Sequence, residues 1–276
     1  MERTFLIPTD FSDESDQAIR YGLQLAQVFD ARTILCHACN LAMPADPMEA
    51  DHTAATTYQS HLDAIQLKLD AQVGRVWEDE EEAPPQTLTK IGFAADVILH
   101  TSEQAFTDLV ILASHGKEHG QVQWLGGISS RVVQESRVPI LIVPPGCKFR
   151  PFRSVAWALE MGRPFHANPM TERLQEVFEP EWLMVNVYGD QMPSLELRER
   201  MSHQISGQIP QWHYSEFLYQ SDRVAKGLWD FVREYEADLL VVTPHKRSWW
   251  QSWFHPSQTQ RLARLVTCPM LVLPAI

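Results

Sequence analysis

The 276 residues include 35 acids against 23 lysines and arginines, for a formal charge of −12, and 45% of them are hydrophobic. That length corresponds to about two ordinary domains, with apolar mass for more than one core, and the charge argues against a chain that wraps nucleic acid or lies on an anionic membrane. No apolar run approaches the roughly 20 residues of a bilayer span, Met1 to Phe5 show no signal-peptide pattern, and four scattered cysteines are too few for a disulfide scaffold, so the cytosol is the expected compartment.

In chain order, Phe5-Leu6-Ile7 reads as a buried strand closed by Pro8. Ser12 is placed to cap the following helix, with acids at 13, 14 and 16 in the first turn, where the helix dipole favours them. Ala18, Ile19, Gly22, Leu23, Leu25, Ala26 and Phe29 recur at helical spacing. Thr33 to Ala38 is a second strand, and Asn40 to Ala55 a long polar connection, either a lid over a site or a mobile link. Leu62, Ile65, Leu69 and Val73 mark a helix, and the acids Glu78 to Glu82 a solvated loop. Gln86 to Lys90 is a third strand, Ala94 to Ala105 a helix, Leu109 to Ala113 a fourth strand, Ser129 to Ser136 a helix and Ile140 to Val143 a fifth strand. Strands 1, 2, 4 and 5 are apolar without alternation, as in a parallel sheet covered on both faces.

The unit then recurs. Thr107 to Gly116 aligns with Ala237 to Lys246 at an offset of 130, and the same offset pairs Arg131 with Arg261, Pro139 with Pro269, Leu141 with Leu271 and Pro144 with Pro274. This register predicts two duplicated five-stranded α/β sandwiches with right-handed crossovers, over residues 1–146 and 151–276, the linker lying near Pro145 to Lys148. Residues 1–147 hold 21 acids against 9 bases, and residues 148–276 hold 14 of each, so the first half carries the whole −12.

Ligands of parallel α/β sheets bind beyond the carboxyl ends of the strands. There lie Asp10, His37, Ala38 and the loop His115 to Gly127, with Gly116, Gly120, Gly126 and Gly127, followed by Ser129 and Ser130. Glycine backbone N–H groups and a helix N-terminus suit a phosphate. On residue types alone, a plain connecting loop stands equally well.

Ile7-Pro8-Thr9-Asp10-Phe11-Ser12, a histidine in strand 2, and a fourth loop leading to Pro139-Ile140-Leu141-Ile142-Val143 together resemble the universal stress protein family. Both halves fit, so the resemblance implies a tandem member: two Rossmann-like (adenine nucleotide alpha hydrolase-like) domains, paired through their fifth strands across a pseudo-two-fold. The family's nucleotide-binding branch carries G-x2-G-x9-G-[ST] after strand 4. Here that stretch is Ala113-Ser114-His115-Gly116, nine residues, then Gly126-Gly127, with Ala113 for the first glycine and Gly127 for the final Ser or Thr. Carried over by position, Pro8, Thr9 and Asp10 lie by the adenosine and the Ala38 backbone reads the adenine edge. Leu112, Ala113, His115 and Gly116 line the nucleotide, and Gly126, Gly127, Ile128 and Ser129 cradle its phosphates. Each departure costs about 1–2 kcal/mol, together a roughly thirtyfold to thousandfold loss of affinity for ATP, with Mg²⁺, at roughly 1.4 kcal/mol per decade.

The second half departs further, with Glu160 for Asp10, Asn186 for His37, and Lys246 and Pro256 for Gly116 and Gly126; Ser257 restores the hydroxyl. It is expected to be a degenerate site. Trp249, Trp250, Trp253 and Phe254 form either a patch for a protein partner or a plug in the vacated site. Cys36-x2-Cys39 reads as buried strand cysteines, since i and i+3 on a strand face opposite ways and no second ligand pair completes a zinc site. His115 and His245 belong to the loop framework rather than to a catalytic triad, and no Walker-type lysine or base marks an ATPase. The functional expectation is a regulatory, stress-responsive nucleotide binder, with a homodimer of the tandem chain left open. The alternative is a nucleotide-independent scaffold acting through the aromatic loop.

Overall fold

The computed structural model describes residues 3–40, 52–77, 84–114, 127–243 and 268–274. The first half runs β1 (Arg3–Pro8), α1 (Asp13–Phe29), β2 (Ala31–Cys39), α2 (His52–Val76), β3 (Gln86–Ile91), α3 (Ala94–Gln104), β4 (Leu109–Ala113), α4 (Gly127–Glu135) and β5 (Ile140–Val143). The second runs β6 (Ser154–Ala158), α5 (Pro169–Phe178), β7 (Glu181–Tyr188), α6 (Leu195–Gln208), β8 (Tyr214–Gln220), α7 (Val224–Glu234), β9 (Leu239–Val242) and β10 (Met270–Val272). The expected elements of the first half are all present. Four begin earlier than the pattern suggested: β1 at Arg3, β2 at Ala31, α2 at His52, inside the polar connection, and α4 at Gly127.

The strands form one sheet in the order β3-β2-β1-β4-β5-β10-β9-β6-β7-β8. All neighbours run parallel except β5 and β10, which are antiparallel with Ile140 opposite Val272, Leu141 opposite Leu271 and Ile142 opposite Met270. Leu141 and Leu271 are also partners under the 130-residue offset, so a pseudo-two-fold axis passes through that pair. Each fifth strand would otherwise be an edge with unpaired N–H and C=O groups. Here the two edges satisfy each other.

Continuous apolar strands are explained by the two covered faces. Phe5 and Ile7 point into one core and Leu6 into the other; Leu109 and Ile111 oppose Val110 and Leu112; Leu141 and Val143 oppose Ile140 and Ile142. Each core holds residues of both halves, so the seam is packed and not merely hydrogen-bonded. Gly22 is required by close approach: a β-carbon there would lie 2.7 Å from Ile7 Cδ1 and 3.0 Å from Ile111 Cδ1, which lets α1 settle onto β1 and β4. An aromatic chain crosses between halves, from Phe5 through Phe29 (5.7 Å between ring centroids) and Phe178 (5.8 Å) to Phe152 (4.9 Å).

Repeat residues keep their structural duty. Asp108 Oδ2 accepts from Thr4 N at 2.8 Å while Asp108 N donates to the Thr4 carbonyl. Its repeat partner Asp238 accepts from Arg153 N and Ser154 N and donates to the Ser154 carbonyl. The conserved register of the sequence repeat thus has a backbone-satisfying carboxylate at the entrance of each fourth strand.

Candidate functional site

The turn after β1 is built from its own side chains. Ser12 caps α1, its Oγ accepting from Ser15 N. Asp10 Oδ1 accepts from Ser12 N at 3.0 Å and from the hydroxyls of Ser12 and Ser15. Thr9 is buried; its N–H donates to the Cys36 carbonyl, and its hydroxyl donates to Gln72 Oε1 and accepts from Phe11 N. Phe11 adopts φ 61°, an uncommon state for an aromatic residue. The turn this permits lays its ring 4.3 Å from the His37 ring. His37 Nδ1 is 2.8 Å from the Thr9 carbonyl, which can only accept, so Nδ1 carries the proton.

A buried polar relay ties this turn to α2. Gln72 has no exposed surface and donates through Nε2 to Asp16 Oδ1, which in turn pairs with Arg75 at 3.2 Å through Oδ2. The sequence pattern marks Leu69 and Val73 as apolar but passes over Gln72. A polar residue between them, three positions past Leu69 on the same helix face, was the signal.

Beside this turn, at the same edge of the sheet, a cleft of about 640 Å³ opens between the end of β2 and the starts of α3 and α4. Ala38, Phe93, Gly127, Ile128 and the Asp96–Arg131 pair line it. Arg131 Nη2 and Nη1 lie 2.5 and 3.3 Å from the Asp96 carboxylate oxygens, and Nε lies 3.1 Å from Glu135. Arg131 is thus a cation at the mouth of the cleft that the sequence pattern did not single out as a ligand group.

Of the residues proposed from sequence, Pro8, Thr9 and Asp10 lie on the turn after β1. Leu112 is buried in the core on the α3 and α4 side. Ala113 is half-buried against the other core, on the α1 side. Gly127, Ile128 and Ser129 form the first turn of α4. Ser129 lies inside α4, two residues past its start; its hydroxyl reaches the Ala113 carbonyl at 3.4 Å, binding α4 to the end of β4. His115, Gly116 and Gly126 lie outside the described residues, as do Glu78 to Glu82, Lys246, Pro256, Ser257 and the Trp249 to Phe254 loop.

The same architecture in the second half carries different groups. Asn186 Nδ2 donates to the Leu159 carbonyl at 2.9 Å, and Leu159 N donates to the Val185 carbonyl. His37 and Asn186 thus perform one task, tying the second strand's end to the turn after the first. Glu160, however, caps nothing and pairs with Arg163 at 3.4 Å.

All four cysteines are free. Cys36 and Cys39 are both buried in β2, and burial pushes the Cys36 thiol up to about 11. Among the described residues no three His, Cys, Asp or Glu groups converge on a metal-sized site, and no helix is long and apolar enough to cross a membrane.

The universal stress protein family model matches residues 1–144 and 213–274. The chain belongs to that family. A universal stress protein of Methanocaldococcus jannaschii is 23% identical over 143 residues, covering 51% of this chain and 81% of that protein. Among solved structures, a universal stress protein from Archaeoglobus fulgidus superposes with a TM-score of 0.66 at 15% identity, over 99% of this chain and 96% of that one. A putative universal stress protein from Pseudomonas aeruginosa gives 0.56 at 12% identity, over 99% and 93%. Both span the tandem arrangement, so two Rossmann-like halves facing across fifth strands are the universal stress protein fold in this chain. The family match leaves out 145–212, the segment with β6, β7 and α6, where Glu160 and Asn186 stand.

Proposed function

We propose that this universal stress protein binds an adenine nucleotide in its first half, at the edge formed by the ends of β1, β2 and β4 and the start of α4, and acts as a regulator rather than an enzyme. The observation that carries the reading is the cleft in which Ala38 of β2 meets Gly127 and Ile128 of the α4 N-terminus. Those are positions to which the family pattern gives adenine and phosphate contacts, separated by 89 residues of chain. The residues fit the group: a β-carbon on Gly127 would meet nothing within 4 Å, so the phosphate side is open, and the first turn of α4 offers N–H donors and the positive dipole end. The adenosine lies over Thr9, Asp10 and the Ala113 backbone. By family position His115 and Gly116 are assigned to the nucleotide and Gly126 to its phosphates. Any Mg²⁺ arrives with the phosphates, which supply the charge that coordinates it.

Asp10 plays a dual part in this reading, holding Ser12 and Ser15 through one oxygen while the turn it shapes meets the ribose. Arg131, shared by Asp96 and Glu135, neutralises part of the carboxylate charge beside the cleft, and against the −12 of the first half the phosphates rest on the N–H groups and dipole of α4. The domains are proposed as 1–146 and 151–276, the second serving as an intrachain partner, in a cytosolic protein. Calorimetry of the full chain with ATP and Mg²⁺ tests the assignment. Heat is expected in the micromolar to millimolar range, with Arg131→Gln weakening ATP more than adenosine. No heat at millimolar ATP overturns it.

A further inference from the structure

The second half holds a cleft of its own at the carboxyl ends of β6 and β9, and its chemistry differs from that of a nucleotide site. It encloses about 240 Å³, below the roughly 300–1,000 Å³ of pockets that take drug-sized ligands. Trp157, Phe165 and Met201 form an apolar wall, all three buried, with the Trp157 and Phe165 rings 4.8 Å apart. The rim is polar: Glu160, Arg163, His166 and Thr243.

The wall and rim are ordered by the chain between β6 and α5. Arg163 N donates to the Glu160 carbonyl, Gly162 takes φ +80°, and the segment ends in a capping box at Asn168. In the first half the corresponding connection is the short turn that caps α1; here it is long enough to place Phe165 against Trp157 and to leave Glu160 and Arg163 at the mouth. Their ion pair, at 3.4 Å with side chains 41% and 38% exposed, restricts the ligand. A lone anion that takes Arg163 leaves Glu160 unpaired, and a lone cation leaves Arg163 unpaired. A triphosphate brings several negative charges against Glu160. A zwitterion alone replaces both partners at once and keeps each charge compensated. It also needs an apolar body for Trp157, Phe165 and Met201.

We infer that this cleft binds a small zwitterion with an apolar side chain, an apolar α-amino acid, whose carboxylate accepts from Arg163 and whose ammonium donates to Glu160. The inference does not depend on the nucleotide site of the first half.

Calorimetry of the full chain with L-leucine, L-methionine and L-phenylalanine tests it. At least one is expected to bind, while 4-methylpentanoate, 3-methylbutylamine and glycine, each lacking one of the three features, bind at least about tenfold more weakly, as loss of one charged hydrogen bond or of the apolar contact implies. Glu160→Gln and Arg163→Gln are each expected to weaken the amino acid about tenfold while leaving any ATP heat unchanged. Should either variant fail to fold, the analogue series on the wild-type chain decides the matter alone. Three results overturn the inference: no heat with any of the three amino acids at millimolar concentration, equal binding by the deaminated analogue, or displacement of the amino acid by ATP.

Discussion

At Gly127 the space that a side chain would occupy is empty, so the residue is not there to relieve crowding. Gly127→Ser is therefore expected to be tolerated and, by restoring a hydroxyl at the start of α4, to tighten ATP binding about tenfold, the value of one charged hydrogen bond. An unchanged affinity in calorimetry would remove the phosphates from that turn. Asn186 makes the complementary point in the second half. It is 6% exposed and satisfies the Leu159 carbonyl. Asn186→Ala is expected to cost about 1–2 kcal/mol by orphaning that acceptor, whereas Asn186→His keeps a donor, as His37 does in the first half. Urea denaturation of both variants checks the pair. Neither expectation is visible in the residue types: Asn for His reads as a lost ligand position until the shared carbonyl contact is known.

Among the elements, β5 and β10 decide the architecture. Four and three residues long respectively, they are too short to be stable edges by themselves, and their antiparallel pairing merges two parallel sheets into one. The linker adds side chains to the seam, Phe149 meeting Tyr21 edge-on at 5.5 Å and Phe152 meeting Phe178. Gln17 grips it by its backbone, donating to the Cys147 carbonyl and accepting from Gly146 N. Cleavage at an engineered protease site at the exposed Pro145–Gly146 bond is thus expected to leave the two halves associated. Gel filtration of the nicked protein should show one peak at the intact size; two half-size peaks would mean that the covalent link, not the strand pair, holds the halves together. The limits of β5 and the repeat offset were legible beforehand. The register of the pair was not, because any of several slips buries the same Ile, Leu and Val faces, and only one places Leu141 against Leu271.

For the molecule as a whole, burial sets the alkaline limit of stability. Desolvation pushes Cys36 and Cys147 up to about 11, against about 9 for a free thiol, and raises Cys268 further still. A thiol whose folded pKa is raised contributes stability that is present in full below the unfolded value and is lost as the pH climbs through the folded one. The thermal midpoint is expected to fall between about pH 9 and pH 11, and Cys36→Ala is expected to flatten part of that fall in melts followed by circular dichroism. An equal fall in the variant would exclude Cys36 as a source. The same burial lowers the thiolate fraction of Cys36 and Cys39 at neutral pH, which disfavours nucleophilic chemistry at their C-x2-C spacing.

Sequence alone determined the α/β class, the duplication, the limits of most elements in the first half and the family, because apolar periodicity and a fixed offset of 130 residues survive in the chain itself. It also pointed to the carboxyl end of the first half's sheet as the proposed ligand edge, since glycines and a strand-end aspartate fall there. Tertiary structure alone decided what those residues do. Ser129 proves to be a tie to the Ala113 carbonyl and Arg131 the partner of Asp96, since these partners, 16 and 35 residues apart, meet only once α4 lies beside α3 and β4. The second half was read from its losses, yet folding assembles Glu160, Arg163, Trp157 and Phe165 around a separate cleft. A motif records what a family's ligand needs, while a cavity is created by packing that no single stretch of sequence contains.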